Sequence, residues 1–121
     1  MYNIKADIEK NRLYCTLSGF FENKDMKECS DKTIEECKKL KPGFDVITDI
    51  SEFKAVGQDT VDEVKRAQAF FKEHGVRRGI RVAGKATLTA IQFNRVGKTV
   101  DYTTDTVETL AEAERILDSQ T

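Results

Sequence analysis

The polar and apolar positions change period along the chain, and each change marks an element. Tyr2, Ile4, Ala6 and Ile8 alternate with Asn3, Lys5, Asp7 and Glu9. Successive side chains of an extended backbone point to opposite faces, so residues 2–9 read as a half-buried strand. Lys10-Asn11 suits a tight turn. Leu13, Cys15 and Leu17 then alternate with Tyr14, Thr16 and Ser18 up to Gly19, which predicts an antiparallel hairpin at a sheet edge. Met26, Cys29, Thr33, Ile34, Cys37 and Leu40 next recur every three or four residues. They predict an amphipathic helix over about Asn23–Lys41, stopped by Pro42-Gly43.

Phe44–Ile50 is short and β-branched, as a strand covered on both faces would be. A second helix is expected from Asp59 or Thr60, where Thr60 and Glu63 have capping-box spacing. Val61, Val64, Ala67 and Phe71 form its apolar stripe, Phe70 widens it, and Gly75 ends it. Adjacent Phe70 and Phe71 diverge by about 100° on a helix, so only one should enter the core directly. The other, with Phe93 nearby, is a candidate lining for an apolar groove. Ile80, Val82 and Ala83-Gly84 mark another internal strand. A third helix is expected over about Thr87–Arg95, although Leu88, Ile91, Phe93 and Val96 share no single face. Thr99–Thr103 reads as a last strand. Asp105 with Glu108 reads as the cap of a final helix striped by Val107, Leu110, Ala113 and Leu117. The order β-β-α-β-α-β-α-β-α predicts an α/β fold: a mixed sheet of about five strands with an antiparallel N-terminal hairpin.

Composition narrows the function. The 121 residues suit a single domain spanning 1–121, and 39% hydrophobic content supplies its core. Net charge is −1, which argues against a dedicated nucleic-acid binder. No apolar run is long enough for a membrane span, and none follows the N-terminus as in a signal peptide. Cys15, Cys29 and Cys37 are an odd set without close pairing, as expected of buried, reduced thiols in the cytoplasm. With one histidine, His74, they offer no zinc spacing, and no metal or cofactor is expected. His74 ends the second helix, where capping suits it better than general-base catalysis. Gly79-x4-Gly84-Lys85-Ala86 imitates a phosphate-binding loop, but Gly79 falls inside a strand and Ala86 carries no hydroxyl. No acid/base or nucleophile constellation points to an enzyme.

Charge is uneven locally. Residues 65–85 carry a net +6 between segments of −4 and −3. Lys65, Arg66, Arg77, Arg78, Arg81 and Lys85 are therefore a candidate patch for an anion or an acidic partner. The competing expectation is pairing with neighbouring acids, because Arg77, Arg78 and Arg81 cannot share one strand face.

Val46-Ile47-Thr48-Asp49-Ile50-Ser51-Glu52-Phe53-Lys54-Ala55-Val56, in this order of elements, resembles the third strand and following loop of the STAS fold. That fold is named for sulphate transporters and anti-sigma-factor antagonists. Ile80-Arg81-Val82-Ala83, Leu88–Arg95 and Asp105–Ala113 are similar to the STAS/SEC14-like branch found in many bacterial proteins. The resemblance implies a non-enzymatic cytoplasmic regulatory domain that contacts a protein partner, either anti-sigma-like or a second copy of itself. It implies an interaction loop containing Ser51, Phe53, Gly57, Gln58, Asp59 and Thr60. Anti-sigma-factor antagonists carry a phosphorylatable Asp-Ser-Ser-Gly there, whereas Gln58 and Asp59 stand in the two serine positions here. Thr60 fits a helix cap better than a phosphosite. The SEC14-like resemblance implies an alternative: a small-molecule or lipid-binding module with an apolar site between the sheet and the second and third helices.

Overall fold

The computed structural model describes residues 1–55 and 60–119. Among them, the order is β1 (Tyr2–Asp7), β2 (Arg12–Phe21), α1 (Asn23–Cys37), β3 (Asp45–Ala55), α2 (Thr60–Glu73), β4 (Arg78–Val82), α3 (Thr87–Lys98), β5 (Thr104–Val107) and α4 (Leu110–Asp118). The five strands form one mixed sheet in sequential order. β1 runs antiparallel to β2, and β2 through β5 are parallel neighbours.

Side-chain alternation on the central strands assigns the two faces. Val46 and Ile50 of β3 join Leu13, Phe21, Met26, Cys29, Phe53 and Phe71 in the larger core. Ile47 of β3 points the other way and packs with Ile80, Val82, Ala113 and Leu117 under α4. β3 is thus covered on both sides, as its β-branched run requires. Each Leu, Ile or Phe fully buried in these layers contributes about 1.5–3 kcal/mol. α4 is also held through charge: the buried Arg12 guanidinium donates to Glu114 at 2.7 Å and Asp118 at 3.1 Å. The Tyr14 hydroxyl donates to the same Glu114 at 2.8 Å.

Several boundaries differ from the sequence pattern. β1 ends at Asp7, and Ile8 is exposed in a turn. Asp7 accepts the Lys10 amide at 3.0 Å, and Asn11 takes φ +54°, so local side-chain bonding closes the chain before Ile8 can reach the core. β2 and β3 run beyond Gly19 and Ile50, because Ser18–Phe21 pairs with Glu52–Ala55 after a register shift at Thr16/Ser18. α1 stops at Cys37, and tight turns bring the buried Leu40 under the sheet. In α2 the inward stripe is Thr60, Val64, Gln68 and Phe71, whereas Val61 faces out. Phe71 enters the core, while Phe70 stacks on His74 at 5.5 Å. Gly75 follows at φ +94°, and the His74 ring contacts the Leu40 carbonyl at 2.8 Å.

The largest correction concerns the last strand. α3 continues to Lys98, and Tyr102 packs into the core from the connection rather than from a strand. Thr104–Val107 pairs with Gly79–Val82 instead. Asp105 and Val107 therefore belong to β5. The cap of α4 is Thr109, whose hydroxyl accepts the Glu112 amide at 3.2 Å. Thr109-Leu110-Ala111-Glu112 has capping-box spacing, four residues beyond Asp105 and Glu108.

Candidate functional site

Parallel pairing places the ends of β2, β3 and β4 and the starts of α1, α2 and α3 along one edge of the molecule. Open α/β sheets bind partners and ligands beyond the carboxyl ends of their strands. Side chains on this edge include large apolar groups in water. Phe20 of β2 is 68% exposed, with the Lys54 ammonium 5.5 Å from its ring centroid. Val61 projects from the first turn of α2. Leu88 (80% exposed) and Ile91 project from α3, three residues apart on one face. The lack of one clean stripe on α3 has this cause: Ala90 and Phe93 are buried while Leu88 and Ile91 face out.

The candidate interaction loop divides. Gly57, Gln58 and Asp59 lie outside the described residues. Ser51 is half-buried on β3, where Asp49 Oδ1 accepts both its hydroxyl at 2.7 Å and its amide at 3.0 Å. Phe53 is a core residue, edge-on to Phe21 at 4.9 Å and to Phe93 at 5.8 Å. Extension of β3 turns Phe53 inward, so it presents no ring to a partner. Thr60 opens α2 and is buried.

The six basic residues do not gather on one surface. Arg66 pairs with Asp31 at 2.7 Å and Glu63 at 2.9 Å. Arg77 grips Asp45 with two hydrogen bonds, at 2.9 and 2.6 Å, and Arg78 pairs with Asp105. Lys65 and Lys85 are exposed. Arg81 is 2% exposed and lies inside the protein. On β4, Ile80 and Val82 face α4, so alternation sends Arg81 toward the helices of the opposite layer.

Between the sheet and α1, α2 and α3 lies a cavity of about 50 Å³ that opens to solvent on one side, bordered by Cys15, Thr33, Thr48, Gln68, Arg81 and Phe93 among others. Arg81 Nη1 donates to Asn94 Oδ1 and, at 3.0 Å, to Thr104 Oγ1. Its guanidinium carbon lies 5.1 Å from the Phe93 ring centroid. Among the described residues no carboxylate pairs with it, and its Nε has no hydrogen-bond partner. Burial pushes its pKa down to about 10. Gln68 Oε1 is also buried without a partner. Unpaired buried polar atoms cost about 1–3 kcal/mol each, and an uncompensated buried charge costs more. The charge pattern along the chain reads Arg81 as surface charge and gives no sign of Gln68. The signal available was Arg81's position between Ile80 and Val82 on an internal strand, which leaves it no solvent face.

Cys15, Cys29 and Cys37 are buried and unbridged. Burial raises all three thiols, Cys29 to about 11 and Cys37 to about 12. No group of metal ligands occurs among the described residues, and no described helix is long and apolar enough to cross a membrane.

No protein-family model matches the sequence, and no curated protein matches it. Solved structures do match in fold. The anti-sigma factor antagonist SpoIIAA in its unphosphorylated form superposes with a TM-score of 0.63 at 11% identity, over 99% of this chain and 98% of that one. The Bacillus cell fate determinant SpoIIAA in its phosphorylated form gives 0.63 at 12% identity, over 96% and 99%. With its β-β-α-β-α-β-α-β-α order, its mixed five-stranded sheet and this superposition over nearly the whole chain, the protein takes the STAS fold of the anti-sigma factor antagonist SpoIIAA.

Proposed function

We propose that this chain is a non-enzymatic regulatory domain that acts by binding a protein partner at the carboxyl edge of its parallel strands. The observation that carries this reading is the exposure of Phe20, Val61, Leu88 and Ile91 at that edge. Large apolar side chains left in water along one edge favour a partner that removes them from it. Likeness to an anti-sigma factor antagonist supports a protein of anti-sigma type as that partner. Gln58 and Asp59 offer no hydroxyl at the two serine positions, so regulation here runs without the usual phospho-switch. The test is quantitative binding to an anti-sigma-type protein by the wild type and by a Phe20→Ser/Leu88→Ser/Ile91→Ser variant. Binding weakened by about tenfold or more in a folded variant supports the reading. Undiminished binding refutes it. Sedimentation of the free chain checks self-association through the same edge.

The interior cavity favours a second reading, a small-molecule module. It lies between the sheet and the helices, in contact with α2 and α3.

A further inference from the structure

We infer that the cavity under α2 binds a short-chain monocarboxylate, whose carboxylate is taken by Arg81 and whose apolar body lies against Phe93 and Phe71. The inference rests on the second reading above and adds the ligand's chemistry. Three observations carry it. Arg81 lines the cavity, is almost wholly buried, and has an Nε donor with no partner. Among the described residues its remaining contacts are neutral: Asn94, Thr104 and the face of Phe93. Asn94 and Thr104 also bond to each other at 2.9 Å, so they form a neutral rest for the guanidinium and not a counter-charge. Water could complete hydrogen bonds in the cavity, but only an anion balances a buried cation.

Size and wall chemistry choose the anion. A volume near 50 Å³ holds about three or four water-sized spheres, and the space is open on one side, which suits a short acid with its tail toward the opening and excludes a bulky one. The walls are mostly thiol, thioether, methyl and phenyl groups from Cys15, Met26, Cys29, Val64, Phe71 and Phe93. Among the described lining residues there is one guanidinium and no lysine. A phosphate dianion would lose its hydration there without a second cation. The lining's one acid, Glu63, directs its carboxylate to Arg66 at 2.9 Å and leaves Arg81 unpaired. The orphan acceptor of Gln68 marks the polar end of the same space.

The test is a nitrogen-15 NMR titration of the full chain with butyrate, with the neutral isostere butyramide, and with inorganic phosphate, at constant ionic strength. Butyrate is expected to saturate, shifting the Arg81 Nε–H and the amides of Gln68 and Phe93, and to bind at least about tenfold more tightly than butyramide or phosphate. Arg81→Met should reduce butyrate to the butyramide level. Ala67→Leu, which keeps Arg81 and fills the cavity from α2, should abolish both. Equal binding of butyrate and butyramide overturns the inference while leaving a cavity ligand in place. Binding by neither overturns both. Phosphate binding as tight as butyrate, or butyrate binding unchanged in Ala67→Leu, also overturns it. If Arg81→Met does not fold, the wild-type comparison of the acid with its amide decides alone.

Discussion

The Tyr102 hydroxyl occupies the place where a side chain on Gly79 would stand. A Cβ there would lie 2.7 Å from Tyr102 Cζ and 2.9 Å from Thr104 Cγ2, inside any ordinary contact. The contact joins β4 to the segment that leads into β5. It also explains why a strand flanked on both sides tolerates a residue of low strand propensity. Gly79→Ala should lower stability by about 1–3 kcal/mol in urea denaturation, because the buried ring has little room to withdraw. In a double-mutant cycle, Tyr102→Phe should recover part of that loss. Additive effects would mean that the two residues do not meet as described.

Glu114 should anchor α4 through Arg12. Glu114→Ala leaves a buried guanidinium short of one carboxylate, at an expected cost of about 1–3 kcal/mol. Amide exchange of α4 should accelerate more than that of β3. If α4 exchange is unchanged, the ion pair does not hold the helix.

Glu36 predicts a weakening in acid. The Lys39 ammonium, with help from the Ala6 amide and from Lys32, holds its carboxyl below the ordinary value. The folded chain thus binds this proton less readily than the unfolded chain does. The stability involved is present above the unfolded value and is lost as pH falls through the folded one. Urea midpoints should drop between about pH 5 and pH 3, and Glu36→Gln should flatten part of that slope. Identical slopes for the two proteins would exclude Glu36 as the source.

All three thiols should resist alkylation. Burial and raised pKa values leave little thiolate at neutral pH. Iodoacetamide at neutral pH should modify none in the folded chain and all three in urea, as counted by mass. Rapid labelling of Cys29 without denaturant would show that the wall formed by α1 opens readily.

The pattern of residues carried the architecture. Alternation in Tyr2–Asp7 and in Leu13–Leu17 and the helical period in Met26–Cys37 are local, so the order of elements and the opening hairpin were legible. Boundaries set by pairing were not. β3 reaches Ala55 because β2 is there to accept it, and β5 lies at Thr104–Val107 because β4 is. Thr103 and Val107 are equally plausible strand residues until a neighbour supplies hydrogen bonds.

Of the proposed edge, linear order supplied only the stretch beyond β3 and not the side chains it presents. Only the folded sheet turned Phe53 inward and left Phe20 and Leu88 in water. Charge shows the same division. The sequence determined that seven basic residues crowd positions 65–85. Tertiary structure decided that Arg66, Arg77 and Arg78 meet acids from distant segments, and that Arg81 meets none among the described residues. A formal charge belongs to a residue by itself. Its compensation depends on which groups the fold brings within a few ångströms and on whether water remains between them.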